Sequence, residues 1–152
     1  MLDKIKIVTT GGGWIGEGRR SFDSIISELI TNAHNKVTFT IFIITNASIV
    51  DQIENALNRG ILVEIYIYTG HKYSINMLKR LVSLESHYEK LTIHQISDKT
   101  LHAKLMIADN SKILMGSANL SYKGLEQNYE IGFYVENVRI AQELLIILKK
   151  LI

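Results

Sequence analysis

Apolar residues fall in two rhythms along this chain. Short runs rich in β-branched and aromatic residues, "KIKIVTT" (4–10), "KVTFTIFII" (36–44), "ILVEIYIYT" (61–69) and "LTIHQI" (91–96), read as strands. Between them apolar positions recur at helical spacing. Phe22, Ile25, Ile26, Leu29, Ile30 and Ala33 mark a first helix, with Ser21 as its N-cap. Ile49, Ile53, Ala56 and Leu57 mark a second, closed by Gly60, and Leu78, Leu81 and Val82 are the inward face of a third. The last third changes character. "LHAKLMIA" (101–108) and "KILMG" (112–116) predict an antiparallel hairpin that turns at Asp109, Asn110 and Ser111. "NYEIGFYVE" (128–136) predicts a further strand, and "VRIAQELLIILKKLI" (138–152) a closing helix with an apolar face.

The alternating strand–helix opening requires parallel pairing through right-handed crossovers, whereas the hairpin adds antiparallel strands. The expected fold is α/β: a mixed, mostly parallel β-sheet with helices on both faces. No proline, low-complexity tract or internal repeat interrupts the pattern, so residues 1–152 read as a single domain. A chain of this length buries about two-thirds of its unfolded surface.

Composition narrows the setting. Apolar content of 47% and charged content of 21% are those of a soluble globular protein. Without cysteine there are neither disulfides nor thiolate metal sites. The N-terminus carries Asp3 and too short an apolar run for a signal peptide. The longest apolar runs, "VTFTIFII" and "ILVEIYIY", fall far short of a bilayer span, so a cytoplasmic protein without membrane anchoring is expected. A net charge of +2 permits a polyanionic partner without arguing for one.

Two stretches compete as the seat of function. "GGGWIG" (11–16) is a literal GxGxxG between a strand and a helix. A dinucleotide fold also needs a carboxylate at the end of its second strand, where this chain reads "FIITNAS". Nor does Lys-Ser/Thr follow the glycines, so a P-loop is excluded. The loop reads instead as a flexible strand-to-helix turn, with Arg19 and Arg20 as a rim that attracts phosphate.

The second stretch is the hairpin. His102 and Lys104 are two apart in a strand-like run and share one face, with Ala103, Leu105 and Ile107 on the packed side. Gly116 permits close backbone approach, and Ser117 and Asn119 add a hydroxyl and an amide. The whole pattern is His102-x-Lys104, Asp109 after four residues, and Gly116-Ser117-x-Asn119 after six more. Six specified positions at ordinary residue frequencies match by chance roughly once in 10⁸ starting positions.

This pattern resembles the signature of the phospholipase D superfamily, HxKxxxxDxxxxxxGSxN, with every spacing kept. The alternating opening, the hairpin and the polar run Gln127-Asn128-Tyr129-Glu130 before a last strand are similar to its small bacterial endonucleases. The resemblance implies a phospholipase D-like fold and a metal-independent phosphodiesterase with no cofactor. His102 would be the nucleophile and Lys104 and Asn119 the phosphate ligands. Glu130 would orient the histidine, Ser117 would organise hydrogen bonds, and Asp109 and Gly116 would be structural.

The residue types suit that chemistry. A phosphodiester repels nucleophiles, so a site must neutralise its charge and supply an activated attacker. Free imidazole titrates near pH 6.5 and so attacks in its neutral form at pH 7. A second acid must protonate the leaving oxygen. Double-length relatives carry two signatures, but this chain carries one. "His34-Asn-Lys36" starts a second copy that is not completed, and His71, His87 and His94 lie outside any motif. A two-fold homodimer would bring two copies of His102 to one phosphate. Nucleic acid is the expected substrate. A phospholipid-directed phosphodiesterase and a non-catalytic nucleic-acid-binding or dimerisation module are the alternatives.

Overall fold

The computed structural model describes residues 4–152; Asp3, part of the N-terminal reading above, lies outside them. Eight strands form one sheet: β1 (Lys4–Thr10), β2 (Arg20–Ser21), β3 (Lys36–Ile41), β4 (Leu62–Tyr68), β5 (Leu91–Ile96), β6 (Leu105–Ala108), β7 (Lys112–Gly116) and β8 (Glu130–Glu136). Their order is β2-β1-β8-β7-β6-β3-β4-β5. Four helices accompany them: α1 (Phe22–Thr31), α2 (Ala47–Asn58), α3 (Ile75–Glu85) and α4 (Val138–Lys149).

The sheet is mixed as expected, but it is not mostly parallel. The pairs β1–β2, β3–β4 and β4–β5 are parallel, while β1–β8, β7–β8, β6–β7 and β3–β6 are antiparallel. The hairpin enters the middle of the sheet rather than its edge. It pairs β6 with β3, and β8 then carries β1, so every junction it makes runs antiparallel.

Helices cover both faces, and strand alternation shows why. Val8, Phe39, Met106 and Leu114 point to one face and pack with Phe22, Ile25, Ile26, Ile49, Ile53 and Leu81 of α1–α3. Tyr66, Leu105, Ile107 and Ile113 point to the other and pack with Ala141 and Leu148 of α4. Three of the four α-helices begin on a side-chain cap; at α3 the Ser74 hydroxyl instead accepts from the backbone N–H of Ile44. Ser21 accepts from the backbone N–H of Ser24, Asn46 from that of Ser48 and Asn137 from that of Ile140. Gly60 follows α2 with φ +86°, the left-handed turn that suits glycine. On α3, Leu81 is buried and Leu78 partly so, but Val82 is exposed and does not belong to the inward face.

One end of this sheet gathers loops. The C-terminal ends of β1, β3, β4 and β7 meet the starts of β6 and β8 there, as antiparallel register requires. Every polar residue of the hairpin signature except Asp109 lies at this end. No helix among the described residues is long and apolar enough to cross a membrane.

Candidate active site

His102 and Lys104 do not sit on a strand. β6 begins only at Leu105, and residues 101–104 form an irregular approach to it. The hydroxyl of Thr40 on β3 explains this: it donates to the carbonyl of Ala103 (2.9 Å) and accepts from the N–H of Leu105 (2.9 Å). A side chain thus replaces the ladder, and Ala103 is exposed rather than packed.

The two signature side chains nevertheless meet. Lys104 Nζ donates to the carbonyl of His102 (2.9 Å) and lies 3.4 Å from each ring nitrogen. An ammonium only donates, so any hydrogen bond between the two is accepted by the imidazole. Burial pulls the Lys104 ammonium below the ordinary lysine value, and the charge of Glu130 partly offsets that. Glu130 is therefore close enough to act on Lys104. Its carboxylate accepts from Asn128 Nδ2 (3.2 Å), and no hydrogen bond joins it to His102 among the described residues. The expected hydrogen bond from His102 to Glu130 is not formed among the described residues, where the charge of Glu130 acts on Lys104.

Lys104 and Asn119 line the same cavity, with Gly116, Phe22 and Phe42. Asn119 Oδ1 is buried there without a hydrogen-bond partner. Buried polar atoms are nearly always paired, so this acceptor in the cavity that Lys104 lines calls for a ligand or another explanation. The chain after Asn119 is tied to the end of β3, since Leu120 N donates to Ile43 O (3.1 Å) and Thr45 N to Leu120 O (3.0 Å).

Ser117 organises rather than projects. Its hydroxyl contacts the carbonyl of Ile131 (3.3 Å) and accepts the N–H of Ile131 (3.1 Å), which joins the ends of β7 and β8. A Cβ on Gly116 would lie 2.5 Å from Phe22 Cζ and 2.8 Å from Gly132 Cα. Gly116 is thus required where the two strands and the Phe22 ring converge. Gly132, its partner in register, was not singled out from the sequence, although a glycine inside a strand signals such an approach.

Asp109 stands at the opposite end of β6, in the hairpin turn with φ +51°. Its carboxylate accepts the N–H groups of His34 (3.0 Å), Asn35 (2.8 Å) and Lys36 (3.1 Å). Burial raises its pKa, but these three bonds outweigh burial and hold it below the ordinary aspartate value.

Arg19 and Arg20 do not form the expected rim. Arg19 Nε donates to the carbonyl of Trp14 (2.7 Å) and its guanidinium pairs with Glu17. Arg20 pairs with Glu28 and lines a separate cleft with Lys6, Lys112 and Tyr134. Both charges are neutralised locally.

The other histidines divide. His34 contributes its backbone N–H to Asp109, His87 Nδ1 lies 2.8 Å from Ser83 O, and His94 Nε2 bonds Glu64 (3.2 Å). His71 differs. It meets Phe42 edge-on (5.2 Å between centroids), and Phe42 meets the His102 ring at 4.6 Å. Lys104 Nζ also lies 5.2 Å over the Phe42 ring. Phe42 and His71 were not foreseen here, because only the β6-β3-β4 strand order brings Phe42 to His102 and His71 to Phe42.

Comparison with known proteins supplies the family and the fold. A family model described as "Cardiolipin synthase, PLD-like domain" matches residues 26–152. The chain is 30% identical over 145 residues to the DISARM protein DrmC of Bacillus paralicheniformis, covering 90% of this chain and 58% of that protein. It is 30% identical over 91 residues to the virion nicking-joining enzyme of Vaccinia virus (Copenhagen), covering 60% of this chain but 21% of the enzyme. The chain thus spans little more than half of the first relative and about a fifth of the second. The crystal structure of Nuc, a phospholipase D family member from Salmonella typhimurium, superposes with a TM-score of 0.81 at 19% identity. That match covers 99% of this chain and 94% of Nuc, so the fold is shared from end to end. With its family model spanning most of its length, this chain belongs to the phospholipase D-like domain family.

Proposed function

We propose that this protein is a metal-independent nuclease that cleaves nucleic-acid phosphodiesters through a phosphohistidine at His102, with an active site shared across a homodimer. The observation that carries it is that the Lys104 ammonium lies 3.4 Å from the His102 ring nitrogens and lines one cavity with Asn119, whose buried Oδ1 has no hydrogen-bond partner. In this reading a ring nitrogen of His102 attacks phosphorus, and the P–O bond to the leaving oxygen breaks. The partner's His102 protonates that oxygen. It then takes a proton from water, which attacks phosphorus and breaks the P–N bond. Lys104 and Asn119 hold the nonbridging oxygens as charge builds on them. No step requires a metal ion.

The dimer has support in the surface. Ile7, Phe133 and Met115 stand opposite one another on β1, β8 and β7 and are about half exposed, on the face that α4 only partly covers. Ile5 and Ile131 extend this patch, and α4 adds exposed Ile140, Ile146 and Ile147. The patch runs up to the site, because Met115 precedes Gly116 and Ile131 follows Glu130. A second copy seated there would bring the two sites together by symmetry. Nucleic acid as substrate accords with the name of the viral relative, which describes nicking and joining.

The test is incubation with labelled DNA, RNA and phospholipid vesicles in EDTA, wild type beside His102→Ala. Cleavage of nucleic acid by the wild type alone is the expected result. Hydrolysis of lipid only, or activity restored only by added magnesium, contradicts the proposal.

A further inference from the structure

Two aromatic clusters flank the phosphate centre, and the mechanism uses neither. On one side Phe42 and Tyr68 lie nearly parallel (19°, 5.8 Å), with His71 against Phe42 and Tyr73 against His71 (5.1 Å). Tyr73 is 63% exposed and has Lys72 Nζ 5.3 Å over its ring. On the other side Trp14 and Tyr129 pack ring to ring (4.9 Å), and Tyr129 is 69% exposed. Tyr129 directly precedes Glu130.

Both clusters are built features. Gly11, the first glycine of GxGxxG, has φ +112°, and a Cβ there would lie 2.8 Å from Tyr129 Cδ1. Its carbonyl accepts the N–H of Trp14 (2.9 Å), and the Trp14 carbonyl accepts Thr9 Oγ1 and Arg19 Nε. The glycine-rich loop therefore holds an indole beside a phenol, not a nucleotide phosphate. Across the site, a Cβ on Gly70 would collide with the Tyr68 ring, which folds back over that glycine beside Phe42. Each cluster leans on a glycine that no larger residue could replace without moving a ring.

Strand order fixes their spacing. Trp14 follows β1 and Tyr129 precedes β8, while Phe42 follows β3 and Tyr68 ends β4. His102 and Lys104, at the start of β6, lie between. Adjacent strands are about 4.8 Å apart, so the line from β1 to β4 runs about 24 Å with the phosphate centre inside it. Exposed π-faces on both sides of a phosphate site suit a polymer that offers a base on each side of each phosphate. Those bases must be unpaired, because a duplex already stacks its bases on one another.

We propose that Trp14/Tyr129 and Phe42/Tyr68/His71/Tyr73 are stacking platforms for bases on either side of the bound phosphate, which makes single-stranded nucleic acid the preferred ligand. The proposal rests on the phosphodiester reading of the His102 site.

The test measures binding by the full-length His102→Ala protein. The ligands are a labelled single-stranded oligonucleotide, its duplex, the same strand made abasic, and phosphatidylglycerol vesicles. The base-bearing strand is expected to bind at least tenfold tighter than the abasic one. Tyr73→Ala and Tyr129→Ala should each cut that ratio by roughly fivefold or more, toward one, as for a lost base–aromatic stack. Gly70→Ala, which displaces Tyr68 without deleting a ring, should lower it too. Equal affinity for base-bearing and abasic strands, or ratios unmoved in the variants, overturns the proposal. So does vesicle binding lost in the same variants, or a change of oligomeric state on sedimentation, which would assign the rings to a membrane or to a second copy. The phosphodiester reading is judged separately, by wild-type turnover of methyl p-nitrophenyl phosphate in EDTA. Failure there with the base preference intact separates the two ideas.

Discussion

Gly116 and Gly132 face each other on β7 and β8, and the ring of Phe22 lies across the pair. Neither position has room for a methyl group. The contact joins α1 to the strand ends that carry Ser117 and Glu130, so the helix face and the site are packed as one unit. Gly132→Ala should lose about 1–3 kcal/mol through overpacking. That is a fall of roughly 2–12 °C in melting temperature, readable by calorimetry. An unchanged melting temperature would mean that the strands part without cost.

Asp109 predicts an effect of opposite kind, on stability alone. Its folded pKa is held below the free value, so its contribution is complete above about pH 4 and is lost as pH falls through the folded pKa. Asp109→Asn should remove this acid-side slope and cost about 1–3 kcal/mol at pH 7, since hydrogen bonds to a charged group contribute about that much. Denaturant unfolding of both proteins from pH 3 to pH 7 measures it. The residue belongs to the signature but stands at the far end of β6, where it ties the hairpin turn to the start of β3.

Lys104 predicts a limit on the alkaline side. Burial lowers its pKa, so the charge needed on the phosphate is lost below the usual pH for lysine, and activity should fall there. Removing the Glu130 charge removes the one influence that opposes burial. Glu130→Gln should therefore move the alkaline limb of kcat/KM to lower pH, whereas a limb that moved up would place Glu130 elsewhere. Lys104→Ala should lower kcat by about 10²–10³-fold, as for the loss of a transition-state donor.

The exposed sheet face predicts assembly. Phe133→Asp puts a carboxylate into the row shared with Ile7 and Met115, and sedimentation should show a monomer with activity lost in step. A wild-type protein that is monomeric and fully active would contradict the shared site.

Much of this was legible from residue order, because local rules agreed with the fold. The spacing of Phe22, Ile25, Ile26, Leu29 and Ile30 placed α1, and Ser21 was its cap. The hairpin turn fell at Asp109–Ser111, as its residue types required. The misses share a cause: each depended on which strands became neighbours. The Thr40 hydroxyl bridges Ala103 and Leu105 at the start of β6 only because β3 pairs with β6. Phe42 reaches His102, and His71 reaches Phe42, for the same reason. The balance of parallel and antiparallel pairs also turned on the hairpin's entry at the centre of the sheet.

The central claim is that His102 bonds to phosphorus during turnover. Rapid acid-free quenching with an oligonucleotide labelled at the scissile phosphate, followed by peptide mapping, tests it directly. A base-stable, acid-labile label is expected on the peptide that carries His102, formed in the presence of EDTA and absent from His102→Ala. Cleavage that continues in His102→Ala, or label on a serine or carboxylate, would contradict it.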